Sequence, residues 1–418
     1  MPTIAGIVRR IGTQPLLLAQ AGSSAAGALA MVIPAAVMTP HDFSVFALLV
    51  LASVTAMGAV RAALFQPALI EIRNDKTAHV SAVSATVGAV CAAVLTVITA
   101  LFLDVTQPLW LAALGVTSAL PVYVEWLRMR AMALDRRWEV AHGDLLRLAV
   151  TLAAPAVLWV STDVEVFFLF VNLTYLTTAA YLWYRLPSVS GHVSVRQLWR
   201  PASSQLVDFV VAQAVSTLPL LVFGSLASSA YIGGVRLAQT LLGPLNMVLA
   251  ASAYNLISDG ATRESHADDA DLIKRGRRLA AMLGVFSLVL VAGLLGFLTL
   301  TGLNLRGVDN HSLIVGIALV GGLAITTGFA WIDTFTLRLL GHHTIPTVGR
   351  TVLVAVTLCA YVVGYVRGGV DTSLVWGFIT AAIASPFVII LPATLAYRRH
   401  SGNPQAHHRE HADGVVSS

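Results

Sequence analysis

Hydrophobic residues gather into twelve runs along the chain, at about 14–38, 43–66, 79–103, 107–133, 142–161, 164–185, 203–225, 229–257, 279–302, 312–340, 345–366 and 372–396. Each run is long enough for an α-helix to cross a hydrocarbon layer of roughly 30 Å. The polar breaks alternate in character. Those after odd-numbered runs are short and nearly free of Lys and Arg, whereas those after even-numbered runs are longer and basic, as in Arg128–Arg147 and Arg263–Arg278. Of the 26 Lys and Arg residues, only Arg306 and Arg367 fall on the other side, and Arg236 lies inside a run. This asymmetry predicts an even number of spans with both termini in the cytoplasm.

The polar segment Pro187–Arg200 separates six runs from six. Each half opens on a Gln-containing start (Gln14, Gln205), and each second run begins at an aromatic (Phe43, Tyr231). Duplicated halves around a midplane site are a common transporter plan. The expected fold is an all-α polytopic membrane protein with twelve transmembrane helices in two six-helix lobes. Residues 1–186 form the N-terminal lobe, 187–202 a cytoplasmic linker, 203–397 the C-terminal lobe and 398–418 a disordered cytoplasmic tail.

Composition supports the membrane class. The 418 residues are 57% hydrophobic and only 11% charged, against about 25% charged in ordinary soluble domains. A net charge of +5 would suggest nucleic acid for a soluble protein, but here the basic residues are spent on topology, and no nucleic-acid partner is expected. Cys91 and Cys359 lie within apolar runs, so neither a disulfide nor a metal site is expected from them. Arg9 and Arg10 precede PLLLAQA, and Ala19-Gln20-Ala21 resembles a cleavage box. The apolar run continues to Met38, which suits a spanning helix better than a leader.

The run Tyr231–Asn255 carries the least expected residue. Arg236 sits well inside it, and an arginine at mid-bilayer costs about 2.5–3.5 kcal/mol on insertion scales. Helical spacing from Arg236 passes through Gln239, Gly243 and Asn246, a narrow polar or small stripe, with Pro244 within it. This predicts either a guanidinium facing a watery cavity or an interhelical pair, for which Asp208 is a distant candidate. Near the inner ends of other runs, Glu125 and Arg128 are three apart and can pair on one face. Asp333 and Arg338 lie near the inner end of run ten, and Arg61 near that of run two, where it can snorkel.

Several chemistries are missing. Neither lysine follows a glycine (Asp75-Lys76, Ile273-Lys274), so there is no phosphate-binding loop of the Gly-Lys-Ser/Thr type. No HExxH, CxxC or GxSxG occurs. The histidines His400, His407, His408 and His411 cluster in the polar tail and read as incidental. No cofactor, no metal and no enzymatic activity are expected.

Three stretches carry a family resemblance. MTPHDFSVFALL (38–49) is similar to a turn of bacterial polysaccharide exporters, with Ser44 in place of the usual Gly. LPVYVEWLRMRAMALDRRWEVAHGDLLRL (120–148) resembles their connection between spans four and five, with Arg128, Arg130 and Asp144 at matching positions. VRLAQTLLGPLNMVLAASA (235–253) resembles their eighth span. The chain thus resembles the multidrug/oligosaccharidyl-lipid/polysaccharide (MOP) exporter superfamily, on its polysaccharide flippase side.

That resemblance implies two lobes around a central cavity open alternately to each side. It implies flipping of a polyprenyl-diphosphate-linked oligosaccharide from the inner to the outer leaflet of a bacterial inner membrane, with glycan assembly enzymes as partners. Arginines suit such a cargo, because a guanidinium contacts phosphate in a planar, bidentate way. The implied binding residues are Arg236, Gln239, Asn246, Asp208 and Arg61, with Glu125, Arg128, Asp333 and Arg338 gating or pairing the lobes. An alternative is a small-molecule or multidrug exporter of the same superfamily coupled to H+ or Na+. It requires buried carboxylates, for which Asp208 and Asp333 stand out. A glycan polymerase or ligase would need a larger outer loop than Thr301–His311, and a major-facilitator sugar carrier would need a Gly-x-x-x-Asp-Arg-type loop that PALIEIRNDKTAHV (67–80) lacks.

Overall fold

The computed structural model describes residues 15–65, 82–187, 206–207, 209–245, 248, 269–340 and 344–402. Among these residues the structure is helical, with no strand and one isolated bridge between Leu305 and Val308. Nine stretches are long and apolar enough to cross a membrane. The first half contributes α1 (Pro15–Val37), α2 (Pro40–Val60), α3 (Ala82–Phe102), α4 (Pro108–Ser118), α5 (Leu120–Ala133), α6 (Arg137–Thr151), α7 (Ala154–Val160), α8 (Val164–Leu173) and α9 (Tyr175–Arg185). The second half contributes α10 (Thr217–Phe223), α11 (Ser229–Leu241), α12 (Asp269–Thr301), α13 (Asn310–Leu339), α14 (Thr344–Ser385) and α15 (Leu391–Gly402).

Prolines explain much of the segmentation. Pro40 occupies the first turn of α2, where its missing N–H costs nothing, and the Thr39 hydroxyl accepts from the Asp42 backbone N–H at 3.2 Å. Pro121 and Pro155 each lack an N–H and crowd the carbonyl four residues back. The helix is interrupted just before each of them, so α4 and α5 form one interrupted span (Pro108–Ala133), and α6 and α7 another (Arg137–Val160).

The ninth stretch runs 55 residues, Thr344–Arg398, about twice what a bilayer needs. It is a hairpin. Gly369 has φ +79, open to glycine and strained for other residues. Beyond the break the chain doubles back, and the Ser373 hydroxyl donates to the Tyr361 carbonyl at 2.6 Å. A Cβ on Gly364 would lie 2.7 Å from the Ser373 Cα. Two glycines thus let the arms of α14 pack backbone to backbone.

The molecule has two unlike faces. One carries the short turns at 38–39, 103–107, 161–163, 224–228 and 302–309, together with the α14 bend. The other carries Arg61, Arg130, Arg136, Arg185 and Arg275 and is called here the basic face. On the short-turn side a single hydrophobic core draws on both halves: Met38, Phe43, Phe46 and Phe167 from the first, and Ile232, Leu242, Val308 and Phe378 from the second. On the basic side the cores of the described residues are separate. One holds Ala56, Phe65, Val122, Leu127 and Leu182, all from the first half. Two small ones hold Leu245, Leu283 and Ile332, and Leu337, Ala393 and Tyr397, all from the second. The joint core closes the expected central cavity on the short-turn side.

Candidate functional site

The seam between the halves is built from α1 and α2 on one side and α10, α11 and the turn before α13 on the other. Small residues set the spacing at and beside it, as is usual where helices meet without water to drive them together. Within the second half, a Cβ on Gly234 would lie 2.4 Å from the Ser312 carbonyl oxygen, and one on Gly316 would lie 2.6 Å from the Gly234 carbonyl oxygen, so α11 and α13 touch through their backbones. Gly233 faces Phe43 and Val308. The turn before α13 reaches across the seam, where the Gly307 N–H donates to the Ala35 carbonyl at 2.8 Å. A Cβ at Gly307 would come within 2.9 Å of Phe43 and 3.0 Å of that carbonyl. On the basic side α2 and the second half also meet, with Gly58 against the Phe209 ring.

Arg236 lies less than one turn below Gly233. Residues Tyr231–Ala238 are all buried, and Arg236 is 8% exposed. Its guanidinium donates to the Gln239 side-chain oxygen through a short hydrogen bond, while its Nε–H, fully enclosed, has no acceptor. No carboxylate pairs with it among the described residues. From here the helix opens: Gln239, Thr240 and Gly243 are half-buried, and a Cβ at Gly243 would meet no atom within 4 Å. The stripe Arg236–Gln239–Gly243 thus runs from the buried part of the seam toward the basic side. Asn246 and Asp208 lie outside the described residues.

A second polar cluster occupies the basic side of the first half. Arg61, in a π turn at Arg61–Phe65 that ends α2, places Nε 2.7 Å from Glu125 Oε1. Arg128 contacts Glu125 at 3.4 Å and Asp144 at 2.7 Å. Glu125 and Asp144 side chains are 4% and 1% exposed. One turn on from Asp144, Arg147 is buried with its guanidinium carbon 3.5 Å from the centroid of the Tyr175 ring and contacts Thr174 and Ser23 at 3.4 and 3.5 Å. Helices α1, α2, α5, α6 and α9 converge on this ladder. Asp144 Oδ1 is buried without a partner. Nearby, Tyr181 donates to Glu139 at 2.6 Å, and Arg185 reaches the same carboxylate.

The expected grouping changes in three ways. Arg61 was placed with Arg236 around the cargo. It instead belongs to the first-half ladder, because Glu125 lies within ion-pair distance. Glu125 and Arg128 were assigned to pairing of the lobes, yet their partners Arg61 and Asp144 are in the same half, so this network does not cross the seam. Asp333 and Arg338 are expected to gate or pair the lobes; the Arg338 side chain lies outside the described residues, and the Asp333 carboxylate is held within the second half by Tyr397, which donates to Oδ1 at 3.1 Å from α15, with Arg277 over the Tyr397 ring at 5.3 Å. Buried carboxylates are also more numerous than Asp208 and Asp333 alone, since Glu125 and Asp144 are enclosed too. Arg147 was counted with the basic connection. The signal for it was the i, i+3 spacing from Asp144 inside an apolar run.

Two halves of irregular helices sharing one core at the short-turn face, with nine stretches able to cross a membrane among the described residues, define a polytopic all-helical membrane protein. The comparison with solved structures gives the fold. An inward-facing multidrug resistance MATE family transporter of the MOP superfamily superposes with TM-score 0.59 at 11% identity, covering 92% of this chain and 96% of that one. A MATE in complex with MaD5 gives 0.60 at 10% identity, covering 94% and 99%. A MOP superfamily transporter from Pyrococcus furiosus, described as having a binding pocket of reverse polarity, gives 0.58 at 11% identity over 94% and 98%. No family model and no curated protein matches the sequence. The chain has the fold of MATE transporters of the MOP superfamily. The sequence resemblance to the polysaccharide branch therefore holds at the level of the superfamily fold.

Proposed function

We propose that this chain is a secondary exporter of small organic solutes that works by alternating access, with twelve spans in two six-helix lobes and its basic face in the cytoplasm of a bacterial inner membrane. The single observation that carries this reading is the unequal core, one joint core on the short-turn side and separate cores on the basic side. A transporter closed to the outside and open to the inside needs that distribution, and rocking of the two halves exchanges the sides. The multidrug role of the structural neighbours favours a small-solute cargo over a lipid-linked glycan. Coupling to H+ or Na+ fits the enclosed carboxylate Asp333, which accepts from the neutral Tyr397 hydroxyl, since an intramembrane ionisable group marks an ion pathway by default.

A second reading, flipping of a polyprenyl-diphosphate-linked oligosaccharide, is favoured by one observation only, the uncompensated charge of Arg236. Dye efflux from proteoliposomes under an imposed proton or sodium gradient tests the first reading. Gradient-dependent efflux is the expected result. Absence of efflux for a panel of soluble dyes, together with accumulation of lipid-linked glycan on deletion in the cell, would replace it with the second.

A further inference from the structure

We infer that Arg236 is the recognition point for an anionic group, carboxylate, sulfonate or phosphate, entering from the basic side of the seam. Two other enclosed arginines among the described residues lie against partners. Arg128 has two carboxylates, and Arg147 has the Tyr175 ring and two hydroxyls. Arg236 is buried as well and, among the described residues, has only a neutral amide, Gln239. A buried charge left unpaired is costly, and a helix placing one at the blind end of a half-open stripe keeps donors free for a ligand. The guanidinium N–H groups that Gln239 does not take are donors of the kind that bind a planar anion.

Gln239 orients the head, because its oxygen takes one N–H and leaves the others. Gly243 keeps the approach clear, having no neighbour within 4 Å of where a side chain would begin. The inference concerns binding, and it rests on the exporter reading only for the claim that the bound anion is cargo.

The anion can come from a soluble solute or from a lipid headgroup, and two probes separate them. Carboxyfluorescein represents the soluble anion and farnesyl diphosphate the lipid-borne one, each titrated against the full chain in lipid nanodiscs, with ethidium as cationic comparator. At least one anion should bind the wild type, with Kd rising tenfold or more in Arg236→Gln and partly recovering in Arg236→Lys, which keeps the charge and loses the planar fork. The better-binding anion identifies the source. Failure of both anions to bind, or equal binding by Arg236→Gln, overturns the inference.

Efflux assays on the same preparations keep the two proposals apart. Ethidium export that is identical in the wild type and Arg236→Gln, without anion binding, leaves the exporter standing and removes this site. Arg236-dependent anion binding with no efflux of any dye keeps the site and removes the exporter.

Discussion

Two buried arginine sites, one in each half, solve the same electrostatic problem in opposite ways. In the first half Arg61, Arg128 and Arg147 alternate with Glu125 and Asp144, and aromatic and hydroxyl contacts take up the remainder. In the second half Arg236 stands with one amide and no counter-charge among the described residues. The paired site is a brace, because its charges find their partners within the protein. The unpaired one carries a stability cost with no internal return, which is a signature of binding sites held ready for their ligands.

The contrast breaks most clearly at Asp144. Replacing Asp144 by Ala removes the 2.7 Å partner of Arg128 and leaves it only the 3.4 Å contact to Glu125, and breaking such a buried pair costs about 3–5 kcal/mol. The expected result is a large drop in midpoint by thermal size-exclusion chromatography in detergent, smaller for Asp144→Asn. If Asp144→Ala is neutral, the ladder is not a brace.

Gln239→Glu sharpens the other side. It gives Arg236 an internal carboxylate in place of a neutral amide, and a hydrogen bond to a charged group is worth about 1.5–3 kcal/mol. The variant should be more thermostable and should lose anion binding, because the partner seat is taken. Arg236→Gln should likewise raise the midpoint of the ligand-free protein, by an amount of about 1–3 kcal/mol expected for relieving an unsatisfied buried group. A fall would mean that the guanidinium is compensated after all.

The smallest effect belongs to an exposed carboxylate. Asp309 accepts from the Ser312 backbone N–H at 3.0 Å at the start of α13, and hydrogen bonds from Ser312 hold its carboxyl below the usual range. A depressed pKa stabilises the fold above the unfolded value near 4, and that contribution is lost as pH falls through the lower folded value. Asp309→Ala should cost about 0.5–2 kcal/mol at neutral pH, as for a helix cap. The difference from wild type should shrink on titration below pH 4.

The sequence made the apolar runs readable because their causes are local. The breaks before Pro121 and Pro155 inside two of those runs emerge only in the structure. Arg236 was also visible, as one charge in a long apolar run. The pairings were not, because they depend on which helices meet. Glu125 could be matched to Arg128 from spacing alone, whereas Arg61, 64 positions away, reaches it only through the packing of α2 against α5. The contact of Asp333 with Tyr397 of α15 likewise joins positions 64 apart and depends on packing. Nor could the pattern of apolar residues tell which ends of the helices were joined across the halves, since both ends are equally greasy.

The π turn at Arg61–Phe65 ties the brace to chain length. It adds one residue per turn relative to a regular helix, and on its two ends Arg61 reaches Glu125 while Phe65 is fully buried in the first-half core. Deleting one residue there would restore regular winding and swing everything beyond it by about 100°, so only one of those two anchors could be kept. Insertions and deletions at this point and the acid at position 125 are therefore coupled traits, and a chain that loses one has reason to lose the other.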